Sequence, residues 1–327
     1  MKISILMPTY NGAKYLKQTL ESLLHQDFYE LIICDDSSTD NTSEIVKKFN
    51  DDRIKFFSHD DNIGYPGNLN RCLEKASGEI IFLMGQDDIL SENALQKIER
   101  AFVDPRIGAV TRPYFWFEKD ISRPVRDKRG LNSGKDEIVS IDDSKEKVIR
   151  VFDSLDQLSG LAYRREFMDK KFHLDIFPCH IYPFASIFFH HPIVFLCDYT
   201  VAVRIESSQS RSLSSIYDKS PLLSWVEMIN DIYSGKENIR KYLIHDFVAT
   251  NYIGLVQIRN FAECKYAWRE IWYLLKFRWQ NVYSGKFWFF SVGILILPRF
   301  VLKKLVDWYK ININSKILTK IEFKYRT

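Results

Sequence analysis

Residues 1–40, MKISILMPTYNGAKYLKQTLESLLHQDFYELIICDDSSTD, decide how this chain folds. Ile3–Met7 is a short, continuously apolar, β-branched run, the pattern of a parallel strand buried on both faces. Thr9–Gly12 reads as a turn, with Asn11 placed to cap the helix that follows. That helix carries Leu16, Leu20, Leu23 and Leu24 at helical spacing. Leu31–Cys34 is a second apolar strand, and it runs directly into Asp35-Asp36-Ser37-Ser38-Thr39-Asp40. Strand, polar turn, amphipathic helix and a strand ending in carboxylates make the repeating unit of an open α/β sheet.

The unit recurs outward. Ile45, Val46 and Phe49 share a helical face, Ile54–Phe57 is a third strand, and the Gly64-Tyr65-Pro66 turn precedes a helix over Gly67–Ala76. Ile80–Met84 is a fourth strand ending at Gly85-Gln86-Asp87-Asp88, and Ser91 is placed to cap a helix bearing Leu95, Ile98 and Phe102. After Val110 the period loosens. Residues 118–143 are charged and read as a long loop or insertion near the ligand-binding face. Apolar runs return at Leu158–Tyr163 and Ile193–Ile205, and from Pro221 the chain is helical and aromatic-rich. The expectation is an α/β domain over 1–215 and a helical, basic, aromatic region over 216–327.

Composition narrows the function classes. Of 327 residues, 46% are hydrophobic, too many for a disordered chain. A net charge of +4 gives no bulk argument for nucleic acid. The positive surplus is local: thirteen Lys or Arg from Lys265 onward, against Glu270, Asp307 and Glu322. The five cysteines are scattered and lack C-x-x-C spacing, which fits reduced thiols rather than disulfides or zinc. The N-terminal apolar run meets Pro8 and Asn11 at once and reads as a strand, not a signal peptide, so the expected location is cytoplasmic. The G-x-x-x-x-G-K-S/T loop, the G-x-G-x-x-G turn, the G-x-S-x-G elbow and H-E-x-x-H are all missing.

In an open parallel sheet the ligand sits outside the carboxyl ends of the strands, where strand order reverses. Thr9-Tyr10-Asn11, Asp35-Asp36 and Asp87-Asp88 all fall at strand ends. Carboxylates crowded on one edge repel unless a cation or donor groups compensate them. Hard oxygen ligands beside a diphosphate suit Mg²⁺ or Mn²⁺. The plainer role of each Asp pair is to cap the next helix.

In order, Pro8-Thr9-Tyr10-Asn11, Asp35–Asp40, Asn62-x-Gly64 with Asn70, Ala76-x-Gly78-Glu79 and Gln86-Asp87-Asp88 resemble the successive motifs of family 2 glycosyltransferases. The resemblance covers residues 1–110 well and 155–210 loosely. It implies the GT-A fold, a doubly wound and mostly parallel sheet, here with a C-terminal helical extension. It also implies inverting transfer of a sugar from a nucleoside-diphosphate donor. Residue by residue, it implies that Thr9, Tyr10, Asp36 and Asn70 bind the nucleotide sugar, Asp87 the ribose or sugar, and Asp88 the metal. Three positions depart from the family pattern. Gly85 stands where D-x-D begins, Leu69 where many relatives carry Arg, and Phe177–Pro183 lacks the Glu-Asp pair that usually holds the general base. By position His180 replaces the base, since an imidazole can accept a hydroxyl proton near neutral pH, with Asp175 as its neighbour and competitor. Arg204, Gln209 and Arg211 are placed to contact the diphosphate.

The basic, aromatic C-terminus with its short apolar run Phe287–Leu297 suits a helix lying in the headgroup layer of an anionic membrane. A run of that length falls short of the roughly 20 residues that a spanning helix needs. A glycan or lipid-linked acceptor at the inner face of the membrane follows from the resemblance. No RNA-binding motif accompanies the basic stretch, so no nucleic-acid partner is expected. Two alternatives stand beside this reading: a catalytically degenerate domain kept for binding, and a sugar nucleotidyltransferase. The second should carry a Gly-rich basic loop where Thr9–Lys14 stands.

Overall fold

The computed structural model describes residues 1–132, 134–206, 214–309, 318 and 321–326. The chain forms two compact units, Met1–Ile205 with Leu318–Thr327, and Glu206–Ile317.

The first unit runs β1 (Ile3–Thr9), α1 (Leu16–Leu24), β2 (Glu30–Asp35), α2 (Thr42–Lys47), β3 (Ile54–Ser58), α3 (Gly64–Lys75) and β4 (Ile80–Leu83). There follow β5 (Ile89–Leu90), α4 (Ala94–Ala101), β6 (Ala109–Thr111), β7 (Tyr114–Phe117), β8 (Arg126–Lys128) and β9 (Glu137–Val139). It ends with α5 (Lys145–Asp153), β10 (Ala162–Arg164), α6 (Ile181–His190), β11 (Ile193–Phe195) and β12 (Val201–Arg204). Among the described residues the larger sheet has the order β3-β2-β1-β4-β10-β6-β11-β9, and a smaller one the order β5-β12-β7-β8. β1, β2, β3 and β4 are parallel, whereas β10 enters antiparallel between β4 and β6.

The apolar runs behave as their patterning predicts. Ile5, Met7, Leu31 and Ile33 are fully buried, and α1 covers them with Leu16, Leu20 and Leu23. Each such side chain contributes about 1.5–3 kcal/mol on leaving water. β3 is the edge strand and is correspondingly half-exposed.

The structure departs from the sequence expectations at several joints. Asn11 does not cap α1, which starts at Leu16 without a side-chain cap. Instead Asn11 adopts φ +49° and its Oδ1 accepts from the Thr39 amide at 2.8 Å, fastening the loop after β2. α3 begins at Gly64 rather than Gly67, because Pro66 is tolerated in a first turn whose amides need no helical partner. Residues 118–143 are not a plain loop: they supply β8 and β9, edge strands of the two sheets. Their charge is what an edge demands.

The last described residues return to the first unit. Phe323 meets Phe115 edge-on at 5.1 Å between centroids, and the Glu92 amide donates to the Lys324 carbonyl at 2.7 Å.

The second unit contains α7 (Pro221–Ile232), α8 (Glu237–Thr250), α9 (Tyr252–Phe261), α10 (Cys264–Phe277), α11 (Gly285–Ile296) and α12 (Arg299–Tyr309). α7 starts with Pro221 and a Ser220 cap on the Leu223 amide. Trp225 stacks on Phe247 at 4.1 Å. Buried Asn281 ties the unit together, accepting from the Tyr252 hydroxyl and donating to the Leu274 carbonyl, each at 2.8 Å. Among the described residues no helix is long and apolar enough to cross a membrane.

Candidate active site

Strand order runs from β1 outward through β2 to β3, then resumes on the other side of β1 with β4. The reversal therefore lies between β1 and β4, and in parallel sheets the crevice outside their carboxyl ends receives the ligand. The acidic ends of β2 and β4 lie on this one edge with β1 between them, about 10 Å apart at the usual strand spacing. They flank the crevice rather than touch.

Side chains knit the loops of this edge to one another. Gln86 spans the reversal point: its Oε1 accepts from the Tyr10 amide at 2.9 Å and its Nε2 donates to the Tyr10 carbonyl at 3.0 Å. A Cβ on Gly12 would stand 2.5 Å from that Oε1, so any larger residue there would displace the Gln86 amide from Tyr10. The Asn11, Gly12 and Ala13 amides donate to Ser38 Oγ, Thr42 Oγ1 and Asp40 Oδ2 at 2.8, 2.8 and 3.0 Å. The polar cluster that the sequence shows after β2 is thus spent largely on holding the loop after β1.

The site residues inferred from sequence separate into two groups. Thr9 is buried, and its hydroxyl turns to the Cys34 carbonyl and Asp35 Oδ1 at 3.1 and 3.2 Å. Asp36 is buried with Oδ1 accepting from the Ile63 amide at 2.8 Å. Tyr10 is 41% exposed on the same edge, open to an aromatic partner. Asn70 does not reach this edge; its amide donates to the Pro66 and Phe172 carbonyls at 3.0 and 2.8 Å. The neighbouring Asn68 does, donating to the Cys34 carbonyl at 2.8 Å and the Thr9 carbonyl at 3.3 Å. Sequence reading passed over Asn68; its buried helical position two residues from Asn70 was the available signal.

Asp87 and Asp88 divide sharply. Asp88 is 4% exposed, with Oδ2 accepting from Ser159 Oγ and Oδ1 from the Arg204 amide at 2.9 Å. Burial, and secondarily the charge of Asp87, push its acid up to about 7. Both its oxygens accept hydrogen bonds from the protein, where the sequence reading gave Asp88 the metal. Asp87 is half-buried and keeps a side open to water. At Gly85 a Cβ would meet Asp87 Oδ1, Asp88 Oδ2 and Ser159 Oγ, each at 3.1 Å, so a side chain there would press on the two carboxylates.

His180 also differs from its expected role. It precedes α6, is 8% exposed, and has both ring nitrogens engaged. Leu155 offers only a carbonyl, so Nε2 carries the proton and donates to it at 2.8 Å, while Nδ1 accepts from the Tyr65 hydroxyl at 3.2 Å. Burial pushes its pKa down to about 4. A ring so held has no lone pair to offer an acceptor hydroxyl, unlike the base that its position in the sequence suggested. Asp175 is buried beside Cys179, at 6% exposure, and is likewise withdrawn from solvent. Arg204 is committed inward: Nε to the Asp87 carbonyl at 3.1 Å and Nη2 to Gln18 Oε1 at 2.7 Å, with its guanidinium over Tyr15. Gln209 and Arg211 lie outside the described residues.

Arg112, unremarked in the sequence, is fully buried at the junction of β6 and β7. Its Nε, Nη1 and Nη2 donate to the carbonyls of Ser159, Ser154 and Gln157 at 2.7, 3.0 and 2.8 Å. Burial lowers its pKa to about 10, which leaves it charged at neutral pH.

Residues 4–150 match the family model described as glycosyl transferase family 2. Over 110 residues, 32% of this chain, the sequence is 39% identical to the poly(ribitol-phosphate) beta-N-acetylglucosaminyltransferase TarS of Staphylococcus aureus, covering 19% of that protein. Over 96 residues it is 38% identical to the UDP-Glc:alpha-D-GlcNAc-diphosphoundecaprenol beta-1,3-glucosyltransferase WfgD of Escherichia coli, covering 29% of this chain and 38% of that protein. The chain thus spans well under half the length of these relatives. In three dimensions it resembles TarS in complex with UDP-GlcNAc, with TM-score 0.61, 17% identity, and coverage of 100% of this chain and 99% of that one. It also resembles the mannosyltransferase PcManGT of Pyrobaculum calidifontis in complex with GDP-Man and Mn²⁺. There the TM-score is 0.54 at 15% identity, covering 98% and 83% of the two chains. These likenesses establish the mixed α/β GT-A fold.

Proposed function

From a chain whose residues 4–150 match the glycosyl transferase family 2 model, we propose an inverting glycosyltransferase that takes a nucleoside-diphosphate sugar and extends a glycan, lipid-linked, at the inner face of the membrane. The observation that carries it is the convergence of Tyr10, Asp36 and Asp87 on the one edge where strand order reverses. Relatives named for UDP-glucose and diphosphoundecaprenol substrates support the donor and acceptor classes.

In this reading Tyr10 packs against the base and Asp36, held by the Ile63 amide, sets the base edge. Among the described residues no cluster of three or more His, Cys, Asp or Glu is placed to hold a metal. The donor set still fits Mg²⁺ or Mn²⁺, because such ions take one or two protein carboxylates and complete their shell with phosphate oxygens and water. Asp87 would be that carboxylate. Such a cation, when bound, offsets the charge that builds on the departing diphosphate. Asp88 and Ser159 fix the backbone that presents Asp87, and Gln86 holds the loops on either side of the crevice in register.

The test is release of nucleoside diphosphate from UDP-GlcNAc, UDP-glucose and GDP-mannose with Mn²⁺, with and without undecaprenyl-linked glycan. Turnover of at least one donor, faster with acceptor, is the expected result. Nucleotide-sugar binding without turnover would instead identify a binding module.

The second unit supports the membrane part of the reading. Trp272, Trp279, Phe289 and Phe300 are 55%, 61%, 73% and 65% exposed, and Lys276, Lys286 and Lys303 lie among them in sequence. Exposed aromatics beside cations suit an anionic headgroup layer.

A further inference from the structure

We infer that Asp156 is the general base that takes the proton from the acceptor hydroxyl, an assignment that rests on the transferase reading above. The usual stretch for the base, 177–183, has no carboxylate in this chain, and the two substitutes in or beside it, His180 and Asp175, are both buried. The segment that meets the crevice from the far side is 154–160, SLDQLSG, which leads from α5 into β10.

Nearly every residue around Asp156 in that segment is fastened. Ser154 Oγ bonds to Thr111 Oγ1 at 2.7 Å, and His180 Nε2 holds the Leu155 carbonyl. Arg112 holds the carbonyls of Ser154, Gln157 and Ser159. Ser159 Oγ reaches Asp88 and accepts from the Gly85 amide at 2.8 Å, and the Gly160 amide donates to the Leu83 carbonyl at 2.8 Å. Gly160, at φ +87°, turns the chain where a Cβ would stand 2.9 Å from Arg112 Nε. These bonds attach the segment to the end of β4, the wall of the crevice that carries Asp87. Ser154, Leu155 and Ser159 are buried, while Asp156 is exposed. A rigid loop thus presents one acidic side chain to water beside the reaction edge. Rigid presentation is what a proton acceptor needs, since misplacement by about 1 Å costs about a hundredfold in rate.

The electrostatics agree. Asp156 keeps solvent contact, yet the surrounding protein removes enough water to push its acid up to about 7. The Arg112 charge and the residue's own amide act in the opposite direction. A pKa near the working pH is favourable for a base. His180 and Arg112 become positioning residues for this loop.

The proposed step balances. The acceptor O–H proton passes to Asp156, the oxygen bonds to the anomeric carbon, and the carbon–oxygen bond to the diphosphate breaks with its electron pair leaving on the phosphate. Asp156 then returns the proton to solvent.

The experiment measures kcat and donor KM against pH with UDP-GlcNAc, UDP-glucose and GDP-mannose plus Mn²⁺ and undecaprenyl-linked glycan as acceptor, for wild type, Asp156→Asn and Asp156→Glu. Wild-type kcat should rise with pH through about 7, as the carboxylate forms. Asp156→Asn should fall about 10²- to 10⁴-fold in kcat, keep its donor KM and lose the rise; Asp156→Glu should restore the rise at a reduced rate. Circular dichroism melts of each variant separate loss of the base from loss of the fold. An Asp156→Asn enzyme within threefold of wild type, its pH rise intact, removes Asp156 and leaves the transferase reading standing. A wild type that turns over none of the donors overturns that reading itself, and the base with it.

Discussion

Replacing Arg112 by lysine tests how the candidate site is held. The guanidinium bridges three carbonyls from a fully buried position, and its fork cannot be copied by an ammonium, whose three N–H groups radiate from a single atom. Lysine can satisfy one of the three. The Ser154 and Ser159 residues are buried, so at least one of their carbonyls is left without a partner, while that of the half-buried Gln157 can find water. An orphaned buried acceptor costs about 1–3 kcal/mol, and a weakened bond to a charged donor adds about 1 kcal/mol, giving about 2–4 kcal/mol for the loop. At ~1.4 kcal/mol per decade, that speeds exchange of the amides fixed by this loop by about 30- to 700-fold. Gly85 and Gly160 are those amides, through Ser159 Oγ and the Leu83 carbonyl. Native-state hydrogen exchange by mass spectrometry, on peptides covering 80–90 and 154–164, reads them directly. Protection within threefold of wild type at both glycines would refute the claim that Arg112 carries this loop.

Other outcomes follow from the same geometry. His180 has a native pKa of about 4 against ~6.5 unfolded, so its burial favours folding fully above ~6.5 and loses that advantage as pH falls towards 4. Urea melts of wild type and His180→Gln should therefore diverge across that window, by up to ~3 kcal/mol, and parallel curves would show that the imidazole is not buried neutral. Asp87→Asn should weaken Mn²⁺ binding in calorimetry with GDP present while leaving the melting temperature near wild type; Asp88→Ala should lower the melting temperature. The reverse pattern would return the cation to Asp88. Cosedimentation with phosphatidylglycerol vesicles should exceed that with phosphatidylcholine and drop at least tenfold in a Trp272→Ser, Trp279→Ser, Phe289→Ser variant; equal recovery from both vesicle types would remove the membrane reading.

The parallel half of the fold was legible because β1, β2 and β4 are buried on both faces and so read as unbroken apolar runs. β8 and β9 were not, because edge strands of three residues with half-exposed faces carry no alternation long enough to detect. At the site, the strand-end carboxylates could be placed on one edge from the sequence, since topology alone dictates where they lie. Their individual roles escaped the sequence. Asp87 and Asp88 are adjacent and chemically identical, and only the arrival of Ser159 and the Arg204 amide from distant segments separates them. His180 looked like a base because composition shows a titratable ring but not that Leu155 and Tyr65 consume both of its nitrogens. Arg112 gave no signal at all: an arginine between strands is ordinary until the carbonyls that surround it are known.

The return of residues 321–326 to the small sheet has a consequence for synthesis. The cluster of Ile89, Phe115, Phe117 and Ala202 is complete only with Ile321, Phe323 and Tyr325 against it. The whole of the helical unit, residues 206–317, leaves the ribosome in between, a wait of roughly 6–20 s at common elongation rates. During that wait the nascent sheet domain carries an uncovered aromatic patch, a ready binding spot for a chaperone and a point from which misassembly between neighbouring nascent chains would start.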